Sequence, residues 1–195
     1  MAGERATASL IGGVTLLERA INYILGSLHL VTPAAMLNPT PCSDWNLQTL
    51  LRHLDDSLVV LHEAVDIGHL DLDPAGDIGD SAGDLVAAVR GRCCSLLGGW
   101  VNADGRHRIS VAELPLASGI VASTGALELA VHGWDVAQAC GYRRPLPPSL
   151  AQEMLELSPL LVTDADRPVR FAAPIAVSPL AATSDRLLAF LGRAV

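Results

Sequence analysis

The fold and the chemistry of this chain depend most on the stretch ELAVHGWD, residues 128–135. Apolar residues recur around it at helical spacing and predict a helix over about residues 118–140. Within this helix Glu128 and His132 are four residues apart, so their side chains leave the same face. The stretch therefore predicts a helix that presents a carboxylate and an imidazole to one neighbour.

A second predicted helix carries another histidine. Leucines recur at three- and four-residue spacing over residues 47–61, and His53 flanks this stripe. If the two helices pack face to face, His53 lies beside Glu128 and His132. Two imidazoles and one carboxylate leave positions on a divalent metal free for water or substrate, which distinguishes catalytic from closed structural sites. The three residues are thus candidate metal ligands.

Three further side chains are candidates for orienting these imidazoles. Asp56 and Ser57 follow His53 by three and four residues, and Asp135 follows His132 by three. A simpler interpretation of the pattern stays open at this point. A Glu and a His four residues apart often form only a surface ion pair, and a single His beside a leucine stripe is usually a core residue.

The pattern of the remaining chain is also mostly helical. With the two helices above, apolar spacing predicts helices over residues 10–30, 47–61, 84–97, 118–140 and 147–161. Ser43 and Asp44 are good N-cap residues ahead of the second helix. Gly98 and Gly99 are expected to end the third. An all-α fold follows from this pattern.

Other segments predict loops, a strand and a short final helix. Residues 66–83 are rich in Gly and Asp and predict a long loop, and residues 108–114 alternate weakly, as in a short strand. Residues 171–179 are rich in Pro and Ala and predict an extended segment. Ser184 is expected to cap a short helix that ends at Gly192.

Composition limits the classes of partner. The formal net charge is −8, and only 17% of residues are charged. Binding of nucleic acid requires clustered Lys and Arg, which this chain lacks, so we expect no nucleic-acid partner. Glu4 and Arg5 interrupt the N-terminus, which does not resemble a signal peptide, and Glu18 and Arg19 interrupt the first apolar stretch. We therefore expect a cytoplasmic protein with no membrane partner.

Cys42 allows two interpretations. It precedes a predicted helix N-terminus, where the helix dipole lowers the pKa of a thiol and favours a nucleophile. Alternatively, Cys42 packs its loop against the helices, and we favour this second interpretation.

Four motifs together resemble the DinB-like metal-binding family, in the branch related to the N-terminal domain of mycothiol-dependent maleylpyruvate isomerase. The motifs are TPCSDW (40–45), LLRHL (50–54), ELAVHGWD (128–135) and DRLLAFLGR (185–193). The resemblance covers nearly the whole chain, and the order and separation of the motifs matter more than any single motif. The resemblance implies a DinB-like four-helix bundle, which we place over residues 1–165. The local sequence predicts that residues 166–195 form a short appendage made of an extended segment and a helix.

The resemblance also implies a metal centre. In thiol-dependent members the metal is usually zinc, and its ligands come from the second and the last bundle helix, at positions that correspond to His53, Glu128 and His132. Many DinB-like proteins have three histidines, whereas Glu128 follows the maleylpyruvate isomerase branch. Nitrogen and carboxylate ligands of this kind also suit nickel and ferrous iron.

Family resemblance further implies a class of reaction. Members include transferases and isomerases that use mycothiol or bacillithiol, so we expect a metal-activated thiolate, a small electrophilic substrate and a low-molecular-weight thiol, with a homodimer left open. The characterised isomerase has an additional large C-terminal domain, so the resemblance implies the fold more directly than that one reaction. Alternatives are a hydrolase that uses metal-bound water, and a non-catalytic bundle that binds a small molecule or dimerises.

Overall fold

The computed structural model describes residues 13–42, 45–65, 79–102, 108–111, 114–167 and 170–195. Six α-helices form over these residues: α1 (Gly13–Leu28), α2 (Leu47–Val65), α3 (Ala82–Asn102), α4 (Ser118–Ala139), α5 (Pro148–Leu161) and α6 (Thr183–Phe190). The predicted all-α class is confirmed. Two four-residue strands, β1 (Arg108–Val111) and β2 (Leu114–Ala117), form an antiparallel hairpin between α3 and α4. The predicted strand at 108–114 thus ends early, and its partner strand was not predicted.

Helices α1 to α4 form a ring in which each helix packs on two of the others. Helix α1 packs on α4 and α3, and α2 packs on α3 and α4. The leucine stripe of α2 faces the centre of this ring, since Leu47, Leu50, Leu51, Leu54 and Leu58 are all fully buried. The predicted four-helix bundle is therefore present, and α5 and α6 pack on each other beside it.

Helix α4 is the core element of the bundle. Every residue from 129 to 137 is buried, which explains why small and apolar residues occupy nearly all of its faces. A Cβ atom added at Gly133 would lie 3.2 Å from Ile24 Cα and 3.2 Å from Tyr23 Cδ1. The backbones of α1 and α4 can approach closely because position 133 has no side chain.

Two predicted helix ends are wrong. Helix α3 does not stop at Gly98 and Gly99 but continues to Asn102, and it begins at Ala82, inside the segment predicted as a loop. A glycine inside a helix costs only about 1 kcal/mol relative to alanine, which the fully buried Leu96 beside this turn can offset. Residues 66–78 of the predicted loop lie outside the described residues.

Helix caps also differ from expectation. Asn46 Oδ1 accepts a hydrogen bond of 2.9 Å from the backbone amide of Thr49, so Asn46 caps α2, while Ser43 and Asp44 lie outside the described residues. Ser184 does not cap α6, because the helix begins at Thr183. Its hydroxyl instead accepts a hydrogen bond of 3.1 Å from the amide of Leu146. This bond ties α6 to the loop between α4 and α5.

The extended segment ahead of α6 agrees with the sequence. Residues 171–179 contain neither helix nor strand, and residues 172–180 are exposed. None of the helices in the described part of the chain has both the length and the apolar composition needed to cross a bilayer.

The tight contact at Gly133 can be tested by a matched pair of substitutions. Gly133→Ala and Gly91→Ala gain the same helix propensity, but an added Cβ at Gly91 meets nothing within 4 Å. We expect Gly91→Ala to raise the free energy of unfolding by about 0.5–1 kcal/mol. Gly133→Ala should lower it by about 1 kcal/mol, because α1 must shift. Urea unfolding followed by circular dichroism measures both, and equal shifts would contradict the packing argument.

Candidate metal centre

The three candidate ligands lie together in the structure. Helix α2 contributes His53, and α4 contributes Glu128 and His132, whose ligand atoms all lie within 4.8 Å of one another. Nε2 of His53 is 2.7 Å from Glu128 Oε1, and Nε2 of His132 is 3.3 Å from the same oxygen. Packing of α2 on α4 therefore joins residues that are 75 positions apart in the chain.

This donor set fits a divalent metal such as zinc. Nitrogen and oxygen ligands bind zinc at about 2.0–2.2 Å in tetrahedral geometry, so two ligands of one ion lie about 3.3 Å apart. The separation between His132 and Glu128 already has this value, and His53 needs only a small shift. Three protein ligands leave a fourth position for an exogenous group.

The electrostatics of the cluster suit a cation. Burial raises the pKa of the Glu128 carboxyl, but the imidazoles of His132 and His53 outweigh this and hold the pKa well below its usual range. Burial lowers the pKa of His132, but the carboxylates of Glu128 and Asp135 outweigh this and raise the pKa to about 9. The negative charge around His132 thus favours a proton, or a metal in its place.

Exposure changes steadily across the cluster. The side chain of Asp135 is 0% exposed and that of His132 is 8% exposed, whereas Glu128 and His53 reach 27% and 34%. The cluster is therefore closed on the side of Asp135 and open on the side of His53. A small molecule would reach the three ligands from the open side.

Two of the three candidate orienting residues contact the candidate ligands. His132 Nδ1 donates a hydrogen bond of 2.9 Å to Asp135 Oδ2, which leaves His132 Nε2 facing Glu128. Ser57 Oγ donates to Glu128 Oε1 at 3.2 Å.

The third candidate, Asp56, is exposed and lies away from the cluster. Residue 56 is rotated by about 60° from His53 around the helix axis, towards solvent. Its neighbour Asp55 is buried instead and accepts a hydrogen bond of 2.5 Å from Arg92 Nε, which joins α2 to α3.

Trp45 forms a wall of the cluster. Its ring centroid is 4.6 Å from that of His53 and 6.2 Å from that of His132. Trp45 is the last residue of the TPCSDW motif, and its ring packs against the imidazoles of both candidate histidine ligands.

The turn ahead of α2 positions Cys42 and Trp45. Thr40 Oγ1 donates to the carbonyl oxygen of Trp45 at 3.0 Å and accepts from the amide of Cys42 at 3.2 Å. Burial raises the pKa of the half-buried Cys42 thiol, which opposes a thiolate there. This agrees with packing rather than nucleophilic attack.

Arg193 was not predicted as a site residue, yet it is buried beside the cluster. Its Nη2 donates to Asp135 Oδ2 at 2.9 Å, and its Nε lies 3.4 Å from Asp135 Oδ1. The two residues are 58 positions apart, so no local spacing relates them. The motif that contains Arg193 indicated the family, but it did not predict where the Arg193 side chain lies in the fold.

We expect the buried carboxylate of Asp135 to be important for folding even without metal. Asp135→Asn leaves the buried guanidinium of Arg193 without a counter-charge, which should lower the free energy of unfolding by about 3–5 kcal/mol. The matched control is Glu153→Gln, which breaks the 2.7 Å ion pair of Glu153 with Arg19 at the half-exposed junction of α1 and α5. That change should cost about 0–1 kcal/mol. Both are measured by urea unfolding in EDTA, and similar losses would refute the special role of Asp135.

Comparison with known proteins agrees with the motifs. A family model described as the mycothiol maleylpyruvate isomerase N-terminal domain matches residues 17–137. This range contains His53, Glu128, His132 and Asp135, and it ends before α5, α6 and Arg193. No curated protein and no solved structure gave a significant match. The family model covers more than half of the chain and confirms the resemblance read from the motifs, and the chain therefore belongs to the mycothiol maleylpyruvate isomerase N-terminal domain family, a DinB-like family.

Proposed function

We propose that this protein binds one divalent metal ion, preferably zinc, through His53, Glu128 and His132. We further propose that it acts as a thiol-dependent transferase or isomerase on a small electrophile. One observation carries the metal site: two Nε2 atoms from different helices converge on one carboxylate oxygen at the open side of the bundle. A structural ion pair would need only one of these imidazoles.

The choice of a thiol as co-substrate rests on family membership. The matching family is described by a mycothiol-dependent reaction, and mycothiol is therefore our first candidate. A bound zinc ion lowers the pKa of a thiol or water that coordinates it, which supplies a nucleophile near neutral pH.

The residues of the chain supply the surroundings of this nucleophile. Asp135 holds His132 with Nε2 towards the site, and Ser57 donates to Glu128. Trp45 covers one side with an apolar ring, which limits access of bulk water and leaves the electrophile the remaining open side. The partners are accordingly a low-molecular-weight thiol and a small electrophilic molecule.

Metal content is the first test of this function. We expect elemental mass spectrometry to find about one zinc ion per chain in the purified protein. His53→Ala and His132→Ala should each lose it while keeping their helical content, since each removes one of three ligands. His29→Ala is the matched control, because His29 is exposed and removing it should leave the metal in place. A wild-type protein that stays metal-free after reconstitution with zinc would refute the metal site.

Thiol dependence is the second test. We expect the zinc-loaded protein to consume free mycothiol in the presence of a panel of small electrophiles, and the metal-free protein or His53→Ala to do so at only the uncatalysed rate. Turnover with metal and water but no thiol would instead support a hydrolase. No difference between wild type and His53→Ala across the panel would support a non-catalytic bundle.

A further inference from the structure

Arg193 lies near the C-terminal end of the chain, yet only 5% of its surface is exposed. The chain turns inward at Gly192, whose φ of 81° favours a residue without a side chain, and the amide of Arg193 then donates to the carbonyl oxygen of Leu188 at 2.9 Å. An added Cβ at Gly192 would also lie 2.7 Å from Ala172 Cβ. The local backbone thus sends the Arg193 side chain into the bundle.

The Arg193 guanidinium donates hydrogen bonds to both carboxylate oxygens of Asp135. Nη2 and Nε face Asp135 Oδ2 and Oδ1, and Nη1 donates to the carbonyl oxygen of Leu191 at 3.0 Å. Such a fork fixes the rotation of a carboxylate, which a single point charge does not. Asp135 therefore has one orientation available to it.

The orientation of the Asp135 carboxylate determines which way the His132 imidazole, a candidate ligand, faces. Asp135 Oδ2, which accepts from Arg193, also accepts from His132 Nδ1 at 2.9 Å. A proton held on Nδ1 leaves Nε2 as the nitrogen that faces Glu128 and His53. A rotation of Asp135 would release the imidazole and move its Nε2 atom.

We propose that Arg193 is a positioning residue of the metal centre, which acts through Asp135 to aim His132 Nε2 at the metal. The inference rests on the proposed metal site. It assigns a role at that site to the C-terminal segment, residues 170–195, which lies outside the range matched by the family model. A merely structural role would only hold α6 and the chain end against the bundle.

The chain offers a matched control for the structural role. Arg167 also anchors the C-terminal segment, since it donates to the carbonyl oxygens of Ala172 and Phe190 and lies over the Phe190 ring. These acceptors are outside the metal cluster. Arg167→Gln thus loosens the same segment without removing a group from Asp135.

The experiment measures zinc affinity by competition with a chromophoric chelator, and the visible spectrum of the cobalt-substituted protein. We expect Arg193→Gln to weaken zinc binding about 10–100-fold and to change the cobalt spectrum, as removal of groups that orient ligands does. Arg193→Lys keeps the charge without the fork, so its loss should be smaller. Arg167→Gln should stay within about threefold of wild type.

A double variant tests whether Arg193 acts through Asp135. In an Asp135→Asn background, Arg193→Gln should weaken zinc binding little further, because the group it acts on is already changed. The double variant also lacks both buried charges, so it avoids the unpaired guanidinium of Asp135→Asn alone. Additive losses would overturn the inference.

Other outcomes separate the inference from the proposed function. If wild type binds one zinc ion and Arg193→Gln binds it equally tightly with the same cobalt spectrum, the inference alone fails. Equal losses in Arg193→Gln and Arg167→Gln would also overturn it in favour of simple anchoring. If wild type binds no zinc in the same titration, the metal site and the inference fail together.

Discussion

Buried charge must be paired, and this constraint organises the centre of the molecule. Helix α4 packs between α1 and α2, yet it carries Asp135 and His132 inside the core. Unpaired charges there would cost several kcal/mol each. In the structure, basic and acidic side chains alternate in one continuous series of contacts, which runs from Arg193 through Asp135, His132 and Glu128 to His53.

This series of contacts links the rigid core to the solvent. Its inner end is a guanidinium and a carboxylate that are almost fully buried, and its outer end is His53, about one-third exposed. The hydrogen bond to Asp135 at the inner end orients His132, and the outer end of the cluster is open to solvent at His53. The proposed metal centre would need both properties, because protein ligands must be preorganised while one position stays accessible.

Close helix packing makes this arrangement possible. Gly133 lets α1 and α4 approach within contact of their backbones, and the leucine stripe of α2 closes the opposite side. The sequence predicted that stripe and the position of α4 well, because both depend on local periodicity that a single helix expresses. It failed at the end of α3, where the buried Leu96 lies beside a glycine pair that would otherwise stop a helix.

The sequence by itself determined the helices and the facing of Glu128 and His132, since four-residue spacing on a helix fixes which side chains share a face. It also named His53, Ser57 and Asp135, and its motifs indicated the family that comparison confirmed. Only the tertiary structure decided that Asp56 faces solvent, that Trp45 lies against the imidazoles and that Arg193 enters the core. These depend on helix rotation and on contacts between distant segments, which arise from packing the whole bundle and leave no periodic trace in the local sequence.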